Sequence, residues 1–176
     1  MPEFAVTAVG RDRPGIVAAI SGALFALDGN VEDSRMSILR GHFAVMLIVE
    51  VPDGAREDLE RELDKVRDEL DLEAVAVDPV AEFDGRAAPA THVLSVYGAD
   101  RPGIVYAISK ALADQGVNIT DLETRVTGSA QAPVYVMLLE VGLDQSGEDQ
   151  VASALREAAG RSGVEVSLRA LEAESL

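Results

Sequence analysis

Asp12-Arg13-Pro14-Gly15-Ile16-Val17 recurs unchanged as Asp100-Arg101-Pro102-Gly103-Ile104-Val105. Each copy follows a short apolar run, Phe4 to Val9 and Val93 to Tyr97, and a glycine, Gly10 or Gly98. Each opens a second apolar run with helical spacing, Ile16 to Leu27 and Ile104 to Leu112. The identities continue beyond the string at one constant offset, through Ala19/Ala107, Ile20/Ile108, Ser21/Ser109, Ala23/Ala111 and Leu24/Leu112. One module has been built twice.

The residues of the string suggest a strand, a tight turn and a helix start. Proline suits the first helical turn, because its φ is fixed and its missing N–H would have no partner there. Aspartate before it can cap free amides and favours the positive end of the helix dipole. Glycine keeps the backbone bare, so that another group can approach. Such a turn can seat a carboxylate. It is also ordinary punctuation that needs no ligand.

Working outward, Phe4 to Val9 reads as a strand buried on both faces. The helix that follows ends at Asp28-Gly29-Asn30, residues that tolerate left-handed conformations. Val31 to Leu39 and Phe43 to Val51 read as strands joined by a turn at Arg40-Gly41-His42, the second apolar enough for the middle of a sheet. Leu59, Leu63, Val66 and Leu70 mark an amphipathic helix, and Leu72 to Val80 closes the unit as a strand. The order repeats in the second half: strand His92 to Tyr97, helix Pro102 to Gln115, strand Val117 to Thr127, turn Gly128 to Pro133, strand Val134 to Val141, helix Gly147 to Arg161 and strand Val164 to Leu171. Strand, helix, strand, strand, helix, strand predicts a ferredoxin-like βαββαβ sandwich of the α+β class, with a four-stranded antiparallel sheet and two helices on one face. The expected domains are residues 1–80 and 91–172, with a linker at 81–90 and a frayed tail from Glu172.

Composition narrows the function. The formal charge is −16, shared as −9 over residues 1–80 and −7 over 81–176. Neither half would grip a phosphate backbone, so direct nucleic-acid binding is not expected. Aromatics make up only 4%, which argues against the RNA-recognition modules that share this topology. Cysteine is absent, no basic leader precedes the first strand, and no apolar run is long enough for a bilayer. A cytoplasmic protein is expected.

The inventory for catalysis is thin. His42 falls in a turn and His92 at a strand start, and no carboxylate is positioned by sequence to orient either. No Gly-x-Ser-x-Gly elbow is present. The acidic run from Glu57 to Glu73 alternates with Arg and Lys and reads as the solvent face of a helix. No enzyme activity, cofactor or metal is expected. Binding remains, at the loops after the first strands. Asn30-Val31 and Asn118-Ile119 begin the second strands, which are expected at the same end of the sheet as the motifs. A side-chain amide there could both donate to and accept from an amino acid's carboxylate and ammonium.

The two Asp-Arg-Pro-Gly-Ile-Val strings, each followed by Asn-Val or Asn-Ile, resemble the ACT domain. The resemblance spans both units. A chain of two such units without a catalytic domain is similar to the glycine cleavage system transcriptional repressor group. The same string also occurs in ACT units attached to phosphoserine phosphatase and formyltetrahydrofolate deformylase. The resemblance implies regulation by a small ligand, typically an amino acid, bound where ACT units pair side by side through their second strands. It also implies a homodimer; the acidic charge means that any transcriptional effect is expected to pass through a protein partner. Carried over by position, Asp12, Gly15, Ile16 and Asn30 would line one site, and Asp100, Gly103, Ile104, Asn118 and Ile119 the other. The family's Gly-x-Asn-Ile is matched by Gly116-Val117-Asn118-Ile119, whereas in Asp28-Gly29-Asn30-Val31 the glycine is displaced by one. That difference favours the second site, and Tyr106 in place of Ala18 marks the two sites as unequal. A ligand-free interaction module that scaffolds an enzyme or regulator is the alternative.

Overall fold

The computed structural model describes residues 1–80, 89–129, 132–143 and 147–171. The chain divides into two compact units, Met1–Phe83 and Asp84–Leu176. The first comprises β1 (Glu3–Arg11), α1 (Ile16–Phe25), β2 (Asn30–Leu39), β3 (His42–Glu50), α2 (Arg56–Leu70) and β4 (Leu72–Pro79). The second comprises β5 (His92–Gly98), α3 (Ile104–Asp114), β6 (Asn118–Ser129), β7 (Ala132–Gly142), α4 (Glu148–Ser162) and β8 (Val164–Ala170). The sheets have the orders β2-β3-β1-β4 and β6-β7-β5-β8, antiparallel throughout. Each unit is the expected ferredoxin-like α+β sandwich, with the apolar third strand inside the sheet. Most of the linker assigned to 81–90, residues 130–131 of the turn and the tail from Glu172 lie outside the described residues.

Alternation decides which face of each sheet is covered. Phe4, Val6 and Ala8 of β1 and Phe43, Val45, Leu47 and Val49 of β3 point to one side, where Ile16, Ile20 and Leu24 of α1 and Leu59, Leu63 and Val66 of α2 pack on them. The second core repeats this with Leu94, Val96, Met137 and Leu139 beneath Ile104, Ile108, Leu112, Val151 and Leu155. The first strand is therefore not buried on both faces. Ala5 and Thr7 are half-buried and Val9 is exposed, because both helices cover the opposite face. The polar face of α2 is laced with ion pairs, Arg56 with Glu60, Arg61 with Asp58, Lys65 with Glu62 and Arg67 with Asp64 and Asp68. Those pairs account for the acidic run, since most of its charges find a partner one helical turn away.

The glycine before each motif has a packing role. A Cβ on Gly10 would lie 2.8 Å from Leu72 Cδ2 and 3.1 Å from Leu72 Cα, and one on Gly98 would lie 2.7 Å from Val164 Cγ1 and 3.1 Å from Val164 Cα. Only glycine lets the first residue of the fourth strand close against the end of the first.

Candidate functional site

The motif turn differs from the expectation in its cap. Both helices begin after the proline, at Ile16 and Ile104. Their N-caps are Gly15 and Gly103, left-handed at φ 99° and 94°, and no side chain caps either helix. Asp12 and Asp100 therefore do not cap, and the prolines stand just outside the first turn. A left-handed backbone at this position demands glycine, while the space beside it is open, with nothing within 4 Å of a Cβ on either residue. The first intrahelical bonds run from Ala19 N–H to Gly15 O and from Ala107 N–H to Gly103 O, both 2.9 Å. The amides before them lack side-chain partners and form the bare, positive end of a helix.

The second unit has a hollow at each end of its sheet: one of about 510 Å³ at the motif turn, and one of about 550 Å³ at the opposite end, beside Asn118 and Gly142. Asp100, Gly103 and Ile104 line the motif hollow together with Arg101, Val105, Tyr106 and Tyr135. The Arg101 guanidinium lies against Gly163, the left-handed C-cap of α4, where a Cβ would stand 2.9 Å from its Nη1. Its charge thus rests at the negative end of that helix. Tyr106 is exposed, whereas Tyr135 is buried at 8% exposure. Burial raises the Tyr135 phenol above its ordinary ionisation range; a hydrogen bond from Thr124 pulls it down, and the nearby charge of Asp100 pushes it up.

The asparagines are elsewhere. Asn30 is paired with Glu50, which is opposite Glu3, whereas the motif end of the sheet is where Arg11 meets His42 and His42 meets Leu39. The two ends are separated by a strand's length, roughly 25 Å at about 3.4 Å per residue. In the second unit Asn118 is paired with Gly142, at the end opposite Gly98 and Tyr135. The expectation that the second strand begins beside the motif is corrected. Strands one and two are parallel and joined by a helical crossover, so they start at the same end of the sheet, and the motif follows the finish of the first. Asp12, Gly15 and Ile16 share one end with the β2–β3 turn, where Asp12 N–H donates to Gly41 O at 2.9 Å. Asp100, Gly103 and Ile104 share the equivalent end of their unit. Asn30, Asn118 and Ile119 do not join them within a unit.

The asparagines also differ in state. The Asn30 amide donates to Glu32 Oε1 at 2.5 Å. Asn118 is exposed, its side-chain amide makes no hydrogen bond among the described residues, and it lines the 550 Å³ hollow with Gln115, Gly116, Thr91, Leu143 and Gly147. The displaced glycine has a local explanation. Asp28 adopts φ 53° where Gly116 adopts φ 69°, and Gly29 then packs against Leu24 O, Val51 and Glu50 O.

Neither histidine lines the motif hollow of the second unit. His42 is exposed at the start of β3. His92 is buried, its Nδ1 2.9 Å from Thr91 Oγ1 and its Nε2 3.7 Å from Glu148 Oε2. Among the described residues no acidic or histidine cluster suits a metal ion, and no helix is long and apolar enough to cross a membrane.

Two ferredoxin-like βαββαβ units, each with a glycine-capped, bare helix end after its first strand, define a tandem α+β protein of two small modules. The chain belongs to the ACT-domain family, whose models match residues 3–77 and residues 92–160. It is 38% identical over 77 residues to a UPF0237 protein of Methanopyrus kandleri, covering 43% of this chain and 86% of that one. It is 30% identical over 120 residues to the glycine cleavage system transcriptional repressor of Escherichia coli, covering 68% of this chain and 63% of the repressor. A solved structure of an unknown protein from Galdieria sulphuraria superposes with a TM-score of 0.84 at 28% identity, covering 97% of this chain and 99% of that one. The family places the chain among ligand-binding regulatory domains. Tyr135, which sequence reading did not single out, enters the site through register alone: it is opposite Gly98, as Phe43 is opposite Gly10.

Proposed function

We propose that this protein is a cytoplasmic regulator that binds a small amino acid without transforming it, at the motif of the second unit. The observation that carries the reading is the 510 Å³ hollow that Asp100, Gly103 and Ile104 line at the uncapped start of α3. A carboxylate suits the bare amides there, and an ammonium suits Asp100.

Asn118 enters this site from another ACT unit. Strand β6 is at the edge of its sheet, and antiparallel pairing of two such edges reverses one relative to the other. The Asn118-Ile119 end of one copy then falls beside the motif end of its partner. A homodimer with ligand at its ACT–ACT interfaces follows, and ligand would bias pairing by its preference for the paired state. Asn30, tied to Glu32, is the weaker candidate for the same role in the first unit. The strong negative charge directs any effect on transcription, or on glycine metabolism, through a protein partner. A ligand-free interaction module is supported by β2, all ten of whose residues are exposed, Met36, Ile38 and Leu39 among them.

A thermal-shift screen against the twenty amino acids separates the two readings. An amino acid at about a hundred times its Kd adds about 2.7 kcal/mol, a rise of several degrees. The expected result is a clear shift that is lost in Asn118→Ala and kept in Asn30→Ala. No shift with any amino acid would leave the interaction module standing instead.

A further inference from the structure

We infer that Tyr135 sets ligand choice in the second unit, its phenol donating a hydrogen bond to a side-chain oxygen of the bound amino acid. The inference rests on the amino-acid reading of the motif hollow and adds the class of amino acid selected: side chains that carry an oxygen, over apolar side chains of the same shape.

Tyr135 belongs to the hollow, yet its ring is held in the core, so the phenol is a fixed group. Thr124 donates to the phenolic oxygen, which lowers the cost of placing negative charge there. Among the described residues the phenol's own proton points to the Met137 thioether, at 3.9 Å, and a thioether is a weak acceptor. A buried donor with a poor partner is a group that a ligand oxygen can satisfy. Burial and the charge of Asp100 both favour the protonated phenol, so the donor persists at neutral pH. The helix start and Asp100 offer partners to the carboxylate and ammonium common to all amino acids. Tyr135 is therefore free to read the part that differs. The first unit has no such donor, because Phe43 holds the equivalent position.

Phe43 also supplies the test, since the fold already accommodates phenylalanine there. Isothermal titration of the full chain would compare serine with alanine and threonine with valine, in the wild type and in Tyr135→Phe. One net hydrogen bond is worth about a factor of ten in affinity. The expected result is an oxygen-bearing preference in the wild type that falls about tenfold in Tyr135→Phe through weaker serine and threonine binding, with alanine and valine unchanged. Equal loss for both members of each pair, or an unchanged ratio, would overturn the inference while leaving the amino-acid site intact. So would collapse of the ratio in Tyr106→Ala but not in Tyr135→Phe. Binding of none of the four by the wild type would overturn the inference, and if the remaining amino acids also fail, the site reading falls with it.

Discussion

The two units hold the same six-residue string on nearly the same backbone and surround it with different side chains. Gly15 and Gly103 agree in φ to within a few degrees, at 99° and 94°. Around them, Ala18 stands where Tyr106 stands, Phe43 where Tyr135 stands, and an Asn30 side chain bonded to Glu32 where that of Asn118 has no partner among the described residues. The exposed flank of α1 carries Val17 and Phe25, and the helix has no charged residue; α3 carries Tyr106 and a Lys110–Asp114 ion pair. The string thus specifies a turn, not a ligand. What the turn can bind is set by residues that arrive from β7, from the next helical turn and from a second unit.

If the string is a shared structural device, damage to its packing should be felt in both units, in proportion to how rigid the contact is. Gly98→Ala sets a Cβ against the branched Val164 side chain, and Gly10→Ala against the more adaptable end of Leu72. Overpacking of this kind costs about 1–3 kcal/mol, and Gly98→Ala is expected at the upper end of that range, Gly10→Ala at the lower. Urea denaturation of the two variants, with hydrogen exchange of each unit's own strands, checks the order. Equal costs would mean that the backbone contacts, 3.1 Å in both units, outweigh the side chains.

A smaller effect sharpens the comparison at the helix exit. Asp28 holds a left-handed conformation that Gly116 adopts freely. Gly116→Asp is expected to cost no more than about 1 kcal/mol, because aspartate tolerates this region. Asp28→Gly should fall within about 0.5 kcal/mol of the wild type, since relief in the folded state is offset by a more flexible unfolded chain. A large loss in Asp28→Gly would show that the aspartate side chain has a role beyond backbone conformation.

How much of this was legible in the sequence depends on the distance over which each feature is encoded. The strand and helix order was legible, because periodicity, the Pro-Gly punctuation and the duplication are local signals that agree with one another. Gly15 and Gly103 were legible as special, but not their roles: the sequence suggested an aspartate cap, and the left-handed glycine displaces it. The end of the sheet at which Asn30 and Asn118 fall was misjudged although the crossover contained the answer, since parallel strands joined by a helix start together. Tyr135 was not visible as a site residue, because its contact with the motif is a register fact between β5 and β7. The same is true of the glycine–β4 and glycine–β8 contacts, whose partners are some sixty residues away in sequence.

The mildest effect separates the buried phenol from its first-unit counterpart by pH alone. The Tyr135 phenol is held protonated in the folded protein, chiefly by burial, so its folded ionisation lies above the value in the unfolded chain. The stability this contributes is fully present below the ordinary phenol range near about pH 10, and it is lost as pH rises through the raised folded value. Phe43 has nothing to ionise, so the first unit should show no matching loss from that position. Urea denaturation of the wild type and of Tyr135→Phe at about pH 8 and about pH 11 should therefore give curves that lie close together at the lower pH and separate at the higher, with the wild type less stable. Because the two proteins differ in no other ionisable group, the difference between them isolates Tyr135. A wild type that keeps pace with the variant at high pH would mean that the hydrogen bond from Thr124 offsets burial, and that the phenol is better solvated than its place in the core implies.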